Sequence, residues 1–131
     1  MTVVDGPDEV RAALGSRFGP GEWLAVTDNH ITGFAAATGT SDPTFLPVAL
    51  SNLMMPELVK ITGFAMGVNY GTGAIRFGTP VAAGQRLRAR AAVASVDDIP
   101  GGLQTVMLIT IEIDGEAEPA CTIESMSRWL L

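Results

Sequence analysis

The stretch VNYGTGAIRFGTPVAAGQRLRARAAV, residues 68–93, decides the fold. Apolar residues at alternate positions in its last part share one face of an extended chain: Leu87, Ala89, Ala91 and Val93. The other face carries Arg86, Arg88 and Arg90. Glycines divide the first part into two short runs, which predicts a hairpin or a bulged strand. The segment 79–84 is predicted to form the turn before the arginine-bearing strand.

Two more strands are predicted downstream of this stretch. The segment LQTVMLITIEID, residues 103–114, is rich in β-branched residues and alternates in hydrophobicity. A turn at residues 99–102 precedes it, and residues 115–119 separate it from the last predicted strand, ACTIESMSRWLL. Short connections of this kind join antiparallel neighbours, so the second half of the chain predicts an antiparallel sheet.

Helices are predicted upstream. Residues 7–14 resemble a short helix with Pro7 in its first turn. After an extended piece at residues 23–26, Thr27 is a candidate N-cap and Gly39 a candidate C-terminal stop for a second helix. The segment 45–64, FLPVALSNLMMPELVKITGF, is apolar on nearly all sides and predicts a buried helix, with a kink or a fresh helical start at Pro56. Helices followed by antiparallel strands predict a single α+β domain over residues 1–131, with one long central helix against the sheet.

Composition narrows the functional classes. Hydrophobic residues make up 47% of the chain and charged residues 17%, which favours an oligomer because apolar surface marks interfaces or ligand grooves. The net charge of −6 argues against nucleic acid as a partner. No apolar run is long enough for a membrane span, and the N-terminus lacks the pattern of a signal peptide. The single cysteine, Cys121, fits a reducing cytoplasm. No metal-ligand cluster or nucleotide fingerprint is present, so no metal and no cofactor are expected.

Four short motifs in fixed order carry a resemblance to a known family. They are ATG at residues 37–39, NYG at 69–71, RFGTPVAAG at 76–84 and PACTIE at 119–124. Together they resemble the MaoC-like hydratases of the hot-dog fold, over about residues 23–128. The resemblance implies a long helix wrapped by an antiparallel sheet, and dimers that pair two sheets edge to edge, with another copy or with another hot-dog subunit. It also implies acyl thioesters of coenzyme A or a carrier protein as substrates, and reversible addition of water to a 2-enoyl thioester.

The chain departs from that family where its catalytic residues belong. In the family, ATG is followed by an Asp, and a His five residues later helps it to hold and activate the water. Here these positions are Thr40 and Phe45. Leu46, Pro47 and Val48 stand where the family has Ala-His-Gly, and Pro47 has no N–H to polarise a carbonyl. The only histidine, His30, precedes ATG and is predicted to lie on the surface.

Several residues remain as candidates for chemistry. Asp42 lies in the shortened loop: burial would raise its pKa and make it a usable acid or base, whereas the alternative role is helix capping. Asn69 and Tyr70 lie on a strand that borders the pocket in the family, and they are predicted either to act on a substrate or to pair structurally. The predicted catalytic set is therefore Asp42, Asn69 and Tyr70. The predicted substrate-binding set is Thr40, Phe45, Ser51, Asn52 and Met55.

Three functions follow from these residues. The favoured one is an altered lyase or cyclase that cyclises, isomerises or eliminates on an acyl-thioester or polyketide-derived substrate without the Asp/His pair. The second is a non-catalytic partner that completes a hetero-oligomeric enoyl-CoA hydratase. The third is a 2-enoyl-thioester hydratase with relocated catalytic residues, which would need a base that the sequence does not supply as a histidine.

Overall fold

A computed structural model describes residues 1–131, and it contains three helices and eight strands. The helices are α1 Gly6–Ala12, α2 Asp28–Thr38 and α3 Leu46–Leu58. The strands are β1 Thr2–Asp5, β2 Arg17–Phe18, β3 Leu24–Ala25, β4 Val59–Thr62, β5 Met66–Phe77, β6 Arg86–Ile99, β7 Gly102–Ile113 and β8 Cys121–Leu130. The α+β class and the order of helices before sheet are those expected from the sequence.

Most of the strands form one six-stranded antiparallel sheet. Its order is β2-β6-β7-β8-β5, and β3 also pairs with β6. The hairpin between β6 and β7 closes at the pair Ile99 and Gly102, so that only Pro100 and Gly101 form the loop. Gly101 has φ +81°, a left-handed conformation that glycine adopts without a steric penalty. A second, parallel pair of strands, β1 and β4, lies outside this sheet.

The inner face of the sheet packs against α3. Buried residues recur at every fourth position of this helix: Leu46, Leu50, Met54 and Leu58. On the sheet, the predicted alternation is confirmed, since Leu87 and Ile111 are fully buried and belong to one cluster of 21 buried residues. Because the buried stripe of α3 faces the buried positions of the central strands, helix and sheet share a single core.

The outer face of the sheet holds the three arginines of β6. Each is paired across the strands with a carboxylate on or next to β7: Arg86 with Asp114, and Arg88 and Arg90 both with Glu112. The two arginines at 86 and 88 also lie over the ring of Trp23. Their charges are therefore already matched within the protein.

Both predicted ends of α2 are confirmed. The Thr27 hydroxyl accepts the His30 N–H at 3.3 Å, and His30 Nδ1 accepts the Thr27 N–H at 3.0 Å. At the other end Gly39 has φ +77°, the left-handed conformation of a C-cap. His30 thus serves in a capping box at the surface.

The structure differs from the sequence-based expectations at α3 and β1, and it resolves one alternative that the sequence left open. The helix predicted over residues 45–64 ends at Leu58 and is followed by β4, and Pro56 lies in its last turn without starting a new helix. Only one side of α3 is buried, since Leu53 is 56% exposed. The alternatives for residues 66–77 resolve as one strand, β5, with irregularities after Asn69 and after Thr72. β1 was not expected, because its four residues carry no periodic signal.

We expect Ile111→Ala to lower the free energy of unfolding by about 2–5 kcal/mol, because it removes a fully buried side chain from the centre of the core. Leu108→Ala, on the same strand but on the outer face and 42% exposed, should cost less than about 1 kcal/mol. Urea unfolding at one protein concentration measures both. Equal losses would contradict the assignment of inner and outer faces.

Candidate functional site

A cavity of about 390 Å³ lies between the helix and the sheet, and we call it the α3–β4 cavity. Its volume is within the range of small-molecule sites. From α3 and β4 it is lined by Ser51, Asn52, Met55, Pro56, Val59, Lys60 and Ile61. From the sheet it is lined by Asn69, Met107, Ile109, Ser125, Ser127 and Trp129. No histidine, cysteine or carboxylate is among these residues.

The cavity exists because the inner face of β8 changes character along the strand. Cys121 and Ile123 fill the core, but the next two inward positions are Ser125 and Ser127. Serine is small, so these positions do not reach the helix as leucine would. Asn69, directly opposite Ser127 on β5, extends the same polar surface to the edge of the sheet. Along β8 the inner face therefore passes from packed core to a partly polar cavity wall.

Trp129 forms one wall of the α3–β4 cavity. Its indole N–H donates to the hydroxyl of Thr105 at 3.0 Å, and Thr105 is buried. The ring covers Gly67 on the neighbouring strand, where a Cβ would come within 2.6 Å of it. The Phe64 ring packs 6.1 Å away, centroid to centroid. The hydrogen bond and these contacts fix the orientation of the indole.

Polar groups from the helix and the sheet face each other across the cavity. The Ser51 hydroxyl donates to the Val48 carbonyl at 2.6 Å, so its oxygen can still accept a hydrogen bond. Pro56 has no N–H to donate to the Asn52 carbonyl one turn earlier. The side chains of Asn52 and Asn69 are exposed to the cavity and can donate to a ligand. The site can therefore orient a carbonyl or hydroxyl group inside apolar walls.

Asp42 lies outside the α3–β4 cavity. It lines a second cavity of about 290 Å³ at the start of α3, together with Thr44, Phe77 and others. It is exposed, and one carboxylate oxygen accepts both the hydroxyl and the N–H of Thr44. The hydroxyl hydrogen bond, followed by that of the N–H, lowers the pKa of Asp42. The burial that would raise this pKa is not present, and the geometry is that of a loop-ordering carboxylate.

Tyr70 lies on the opposite face of the sheet from Asn69. It is 54% exposed, and the Arg128 guanidinium carbon lies 3.6 Å from its ring centroid, a cation–π contact. Arg128 also donates to Gln104 at 3.0 Å. Tyr70 packs on Arg128 and does not line the α3–β4 cavity, whereas Asn69 does, so the two neighbours do not act in one cavity of this chain.

The residues predicted from the sequence to act on or bind a substrate do not all lie in one cavity. Ser51, Asn52, Met55 and Asn69 come together in the α3–β4 cavity. Thr40 lies in the exposed loop, where its hydroxyl accepts the Asp42 N–H at 3.2 Å. Phe45 is 57% exposed and packs edge to face on Phe77 at 5.2 Å.

Four polar or aromatic lining residues were not singled out from the sequence: Lys60, Ser125, Ser127 and Trp129. The three on β8 could have been found from the sequence, because every second residue of that strand from Cys121 onward faces inward. Serines at two of those inward positions indicate a gap in the core. Lys60 gives no such signal, since the sequence predicts the residues of β4 as part of the preceding helix.

The only thiol of the chain is buried and does not line the α3–β4 cavity. Burial raises the pKa of the Cys121 thiol to about 11, so at neutral pH it is a buried apolar group and not a nucleophile. No group of three or more His, Cys, Asp or Glu side chains is arranged to hold a metal ion. None of the three helices is long and apolar enough to cross a membrane.

A helix packed across an antiparallel sheet, with a cavity between them at the sheet edge, is the architecture of a hot-dog protein. Comparisons with known proteins agree. The 3-hydroxyacyl-thioester dehydratase Z of Mycobacterium tuberculosis is 29% identical, with 99% of each chain covered. Nodulation protein N of Rhizobium leguminosarum bv. viciae is 32% identical over 87% of this chain and 84% of its own.

Solved structures show the same fold. The MaoC-like dehydratase from Rhodospirillum rubrum superposes with a TM-score of 0.66 at 16% identity, covering 90% of this chain and 92% of that one. The truncated HadBC (3R-hydroxyacyl-ACP dehydratase) complex from Mycobacterium tuberculosis gives 0.63 at 20% identity, covering 88% and 96%. No protein-family model matches the chain. The chain belongs to the MaoC-like hydratase and dehydratase family of the hot-dog fold.

We expect Thr44→Val to raise the pKa of Asp42 toward its ordinary value of 3.8, because the variant loses the hydroxyl that donates to the carboxylate. A pKa lowered by folding means that this carboxylate stabilises the fold above its ordinary pKa, and that the contribution is lost as the pH falls through the folded value. Carboxyl-carbon NMR titration measures the pKa. Thr32→Val, whose hydroxyl donates only to a backbone carbonyl, is the control. An Asp42 pKa unchanged in Thr44→Val would contradict the assigned hydrogen bond.

Proposed function

We propose that the chain binds an acyl-thioester or polyketide-derived substrate in the α3–β4 cavity and promotes its rearrangement without an Asp/His pair. The observation that supports this most is the lining itself. Apolar walls surround hydroxyl and amide groups, and the cavity contains no histidine or carboxylate. Such a site suits an apolar chain carrying carbonyl groups. The similarity of the chain to a 3-hydroxyacyl-thioester dehydratase supports a thioester as the substrate.

Intramolecular cyclisation is the chemistry that this lining serves best. Hydration or dehydration needs a group that accepts and returns a proton, and a general base must lie within hydrogen-bond reach of that proton. Cyclisation of a folded polyene can proceed with every atom retained and without proton transfer to the protein. Holding two reacting ends together contributes several kcal/mol toward the barrier, roughly 7–11 in the best cases. We assign to Asn69 the hydrogen bond that polarises the substrate carbonyl.

A second candidate function, the non-catalytic partner, is favoured by one feature. β5 is a 12-residue edge strand, and all of its residues except Ile75 are exposed. It carries exposed apolar side chains, among them Met66 at 57% and Val68 at 36%. An unpaired edge of this length offers a row of backbone donors and acceptors to another strand. We propose that β5 pairs with the edge of a second hot-dog subunit, either another copy or a relative.

We expect Asn69→Leu, which keeps the side-chain size but loses the amide, to lower kcat/KM about 100-fold, as the loss of a carbonyl-polarising donor does elsewhere. The substrates are linear polyene and enoyl thioesters, and mass spectrometry separates the reactions. Cyclisation or isomerisation leaves the mass unchanged, hydration adds a water and elimination removes a small molecule. Asn29→Leu, on exposed α2 away from the cavity, is the control and should leave the rate unchanged.

Asp42→Asn tests whether the reaction takes place in the second cavity, and Tyr70→Phe tests whether it takes place on the outer face of the sheet. If the reaction takes place in the α3–β4 cavity of one chain, both variants retain activity while Asn69→Leu loses it. Loss of activity in Asp42→Asn alone would move the chemistry to the second cavity. Addition of water that depends on Asp42 would support a hydratase with relocated residues instead.

We expect Val68→Lys to weaken self-association, because it places a charge on the outer side of the β5 edge. Light scattering over a range of protein concentrations measures the mass of the particle. Leu108→Lys, which adds the same charge on a central strand, should leave the mass unchanged. A homodimer that turns over substrate alone argues against the partner function. A chain that is inactive alone and associates stably only when co-expressed with an active hot-dog subunit would establish it.

A further inference from the structure

Two serines in the wall of the α3–β4 cavity have no role in the proposed reaction. Ser125 and Ser127 lie on β8 and line the cavity. Their register partners on β7 are Met107 and Thr105, which belong to the inner face, since Thr105 is buried and Met107 packs against the core. Because β7 and β8 pair without a register shift, the side chains of both serines point inward as well.

The hydroxyls of both serines are unpaired. Ser51 is the only serine of the chain whose hydroxyl forms a hydrogen bond within the protein. No side-chain oxygen of a half-buried or buried residue is both inaccessible and unpaired, so the oxygens of Ser125 and Ser127 are accessible. On the inner face of the sheet, the accessible space beside them is the α3–β4 cavity. Both hydroxyls are therefore free to bind a ligand.

The two serines lie at different distances from the amide that is assigned to the substrate carbonyl. Ser127 is directly opposite Asn69, and the Cβ atoms of such paired residues are about 5 Å apart. Ser125 lies two residues away along β8, a displacement of about 7 Å. In the other direction Trp129 has no free polar atom, because its N–H donates to Thr105. A carbonyl bound by Asn69 is therefore within reach of Ser127, and Ser125 is free for a second group.

A plain hydrocarbon chain would leave the Ser125 hydroxyl without a partner. The cavity residues beside it on β7, Met107 and Ile109, are apolar and offer it no side-chain hydrogen bond. A methylene group that displaces water from this hydroxyl cannot replace the hydrogen bond of the water, which lowers the affinity. A ligand oxygen at the same point restores the hydrogen bond.

We propose that Ser125 selects an acyl chain that carries a second oxygen, as a hydroxyl or keto group, about 7 Å beyond the carbonyl bound by Asn69 and Ser127. This inference rests on the proposed function of the cavity and names the class of its substrate: a thioester oxygenated in mid-chain. Because an extended chain advances by less than about 1.5 Å per carbon–carbon bond, the second oxygen is expected on carbon 6 or 7. Ser125 is then a specificity-determining residue and takes no part in the reaction step.

A purely spatial role for Ser125 predicts something different. Serine is small, and its only effect would then be to leave room beneath α3. Ser125→Ala keeps that room and removes only the hydroxyl, so under the spatial role it leaves the ligand preference unchanged. Under the proposed role it removes the preference for an oxygenated chain. The variant should fold in either case, because the hydroxyl forms no hydrogen bond within the protein.

The test uses N-acetylcysteamine thioesters of decanoic acid and of hydroxydecanoic acids with one hydroxyl, on carbon 6, 7, 8 or 9. Isothermal titration calorimetry should show the ligand with a hydroxyl on carbon 6 or 7 binding to the wild-type protein about tenfold more tightly than the decanoyl ligand. A hydroxyl on carbon 9 should bring no gain. In Ser125→Ala the ligand hydroxylated on carbon 6 or 7 should bind as weakly as the decanoyl ligand, whose own affinity should not fall.

Two further variants serve as controls. Ser95→Ala removes the hydroxyl of another half-buried strand serine, which does not line the cavity, and it should keep the tenfold preference. Ser127→Ala should weaken the decanoyl and hydroxylated ligands by the same factor, because Ser127 contacts the carbonyl that all of them share.

The outcomes separate this inference from the proposed function. Equal binding of all the ligands by the wild-type protein would overturn the selection of an oxygenated chain and leave the thioester site intact. A preference that survives in Ser125→Ala, or one for carbon 9 alone, would show that another group reads the oxygen, and the inference would be wrong. Binding of none of the ligands would overturn the proposed function and the inference with it.

Discussion

Packing of the α3 stripe onto the inner face of the sheet is the interaction on which the rest of the structure depends. Leu46, Leu50, Met54 and Leu58 repeat every four residues and lie over strands whose inward positions are Ile, Leu, Val and Ala. This contact sets the position of the helix. It therefore also sets where the chain leaves the core, at β4, and where the exposed side of the helix begins. The cavity is the place where that packing stops.

The function proposed for the chain follows from the way in which the packing between α3 and the sheet ends along β8. On β8 the inward positions change from Cys121 and Ile123 to Ser125 and Ser127, so the sheet ceases to fill the space beneath the helix. The walls keep their apolar character, and the polar groups at the site are hydroxyls and amides. A site of this composition holds and orients a substrate well but offers little for moving protons. Hydratase chemistry and cyclisation thus differ here mainly in whether a proton acceptor is required.

The sequence specified local features better than long-range ones. The ends of α2 were predictable because the capping residues Thr27 and Gly39 form hydrogen bonds only with residues three or four positions away. The inner face of β6 was predictable because alternation shows directly in Leu87 to Val93. The strand β4 was not, since VKIT continues the apolar run of α3 and becomes a strand only by pairing with β1, more than fifty residues away. The same applies to the site: Asn69 and Tyr70 are adjacent in sequence, and only the sheet decides which of them faces the cavity.

The contact between Gly67 and Trp129 links two positions that are distant in sequence. Any side chain at position 67 would collide with the indole, and a smaller residue at 129 would leave the buried Thr105 hydroxyl without its donor. The two positions therefore cannot vary independently in descendants of this sequence. A lineage that enlarges residue 67 must first replace the tryptophan and find another partner for Thr105. Descendants in which this end of the cavity has changed size are therefore expected to differ from this sequence at both positions.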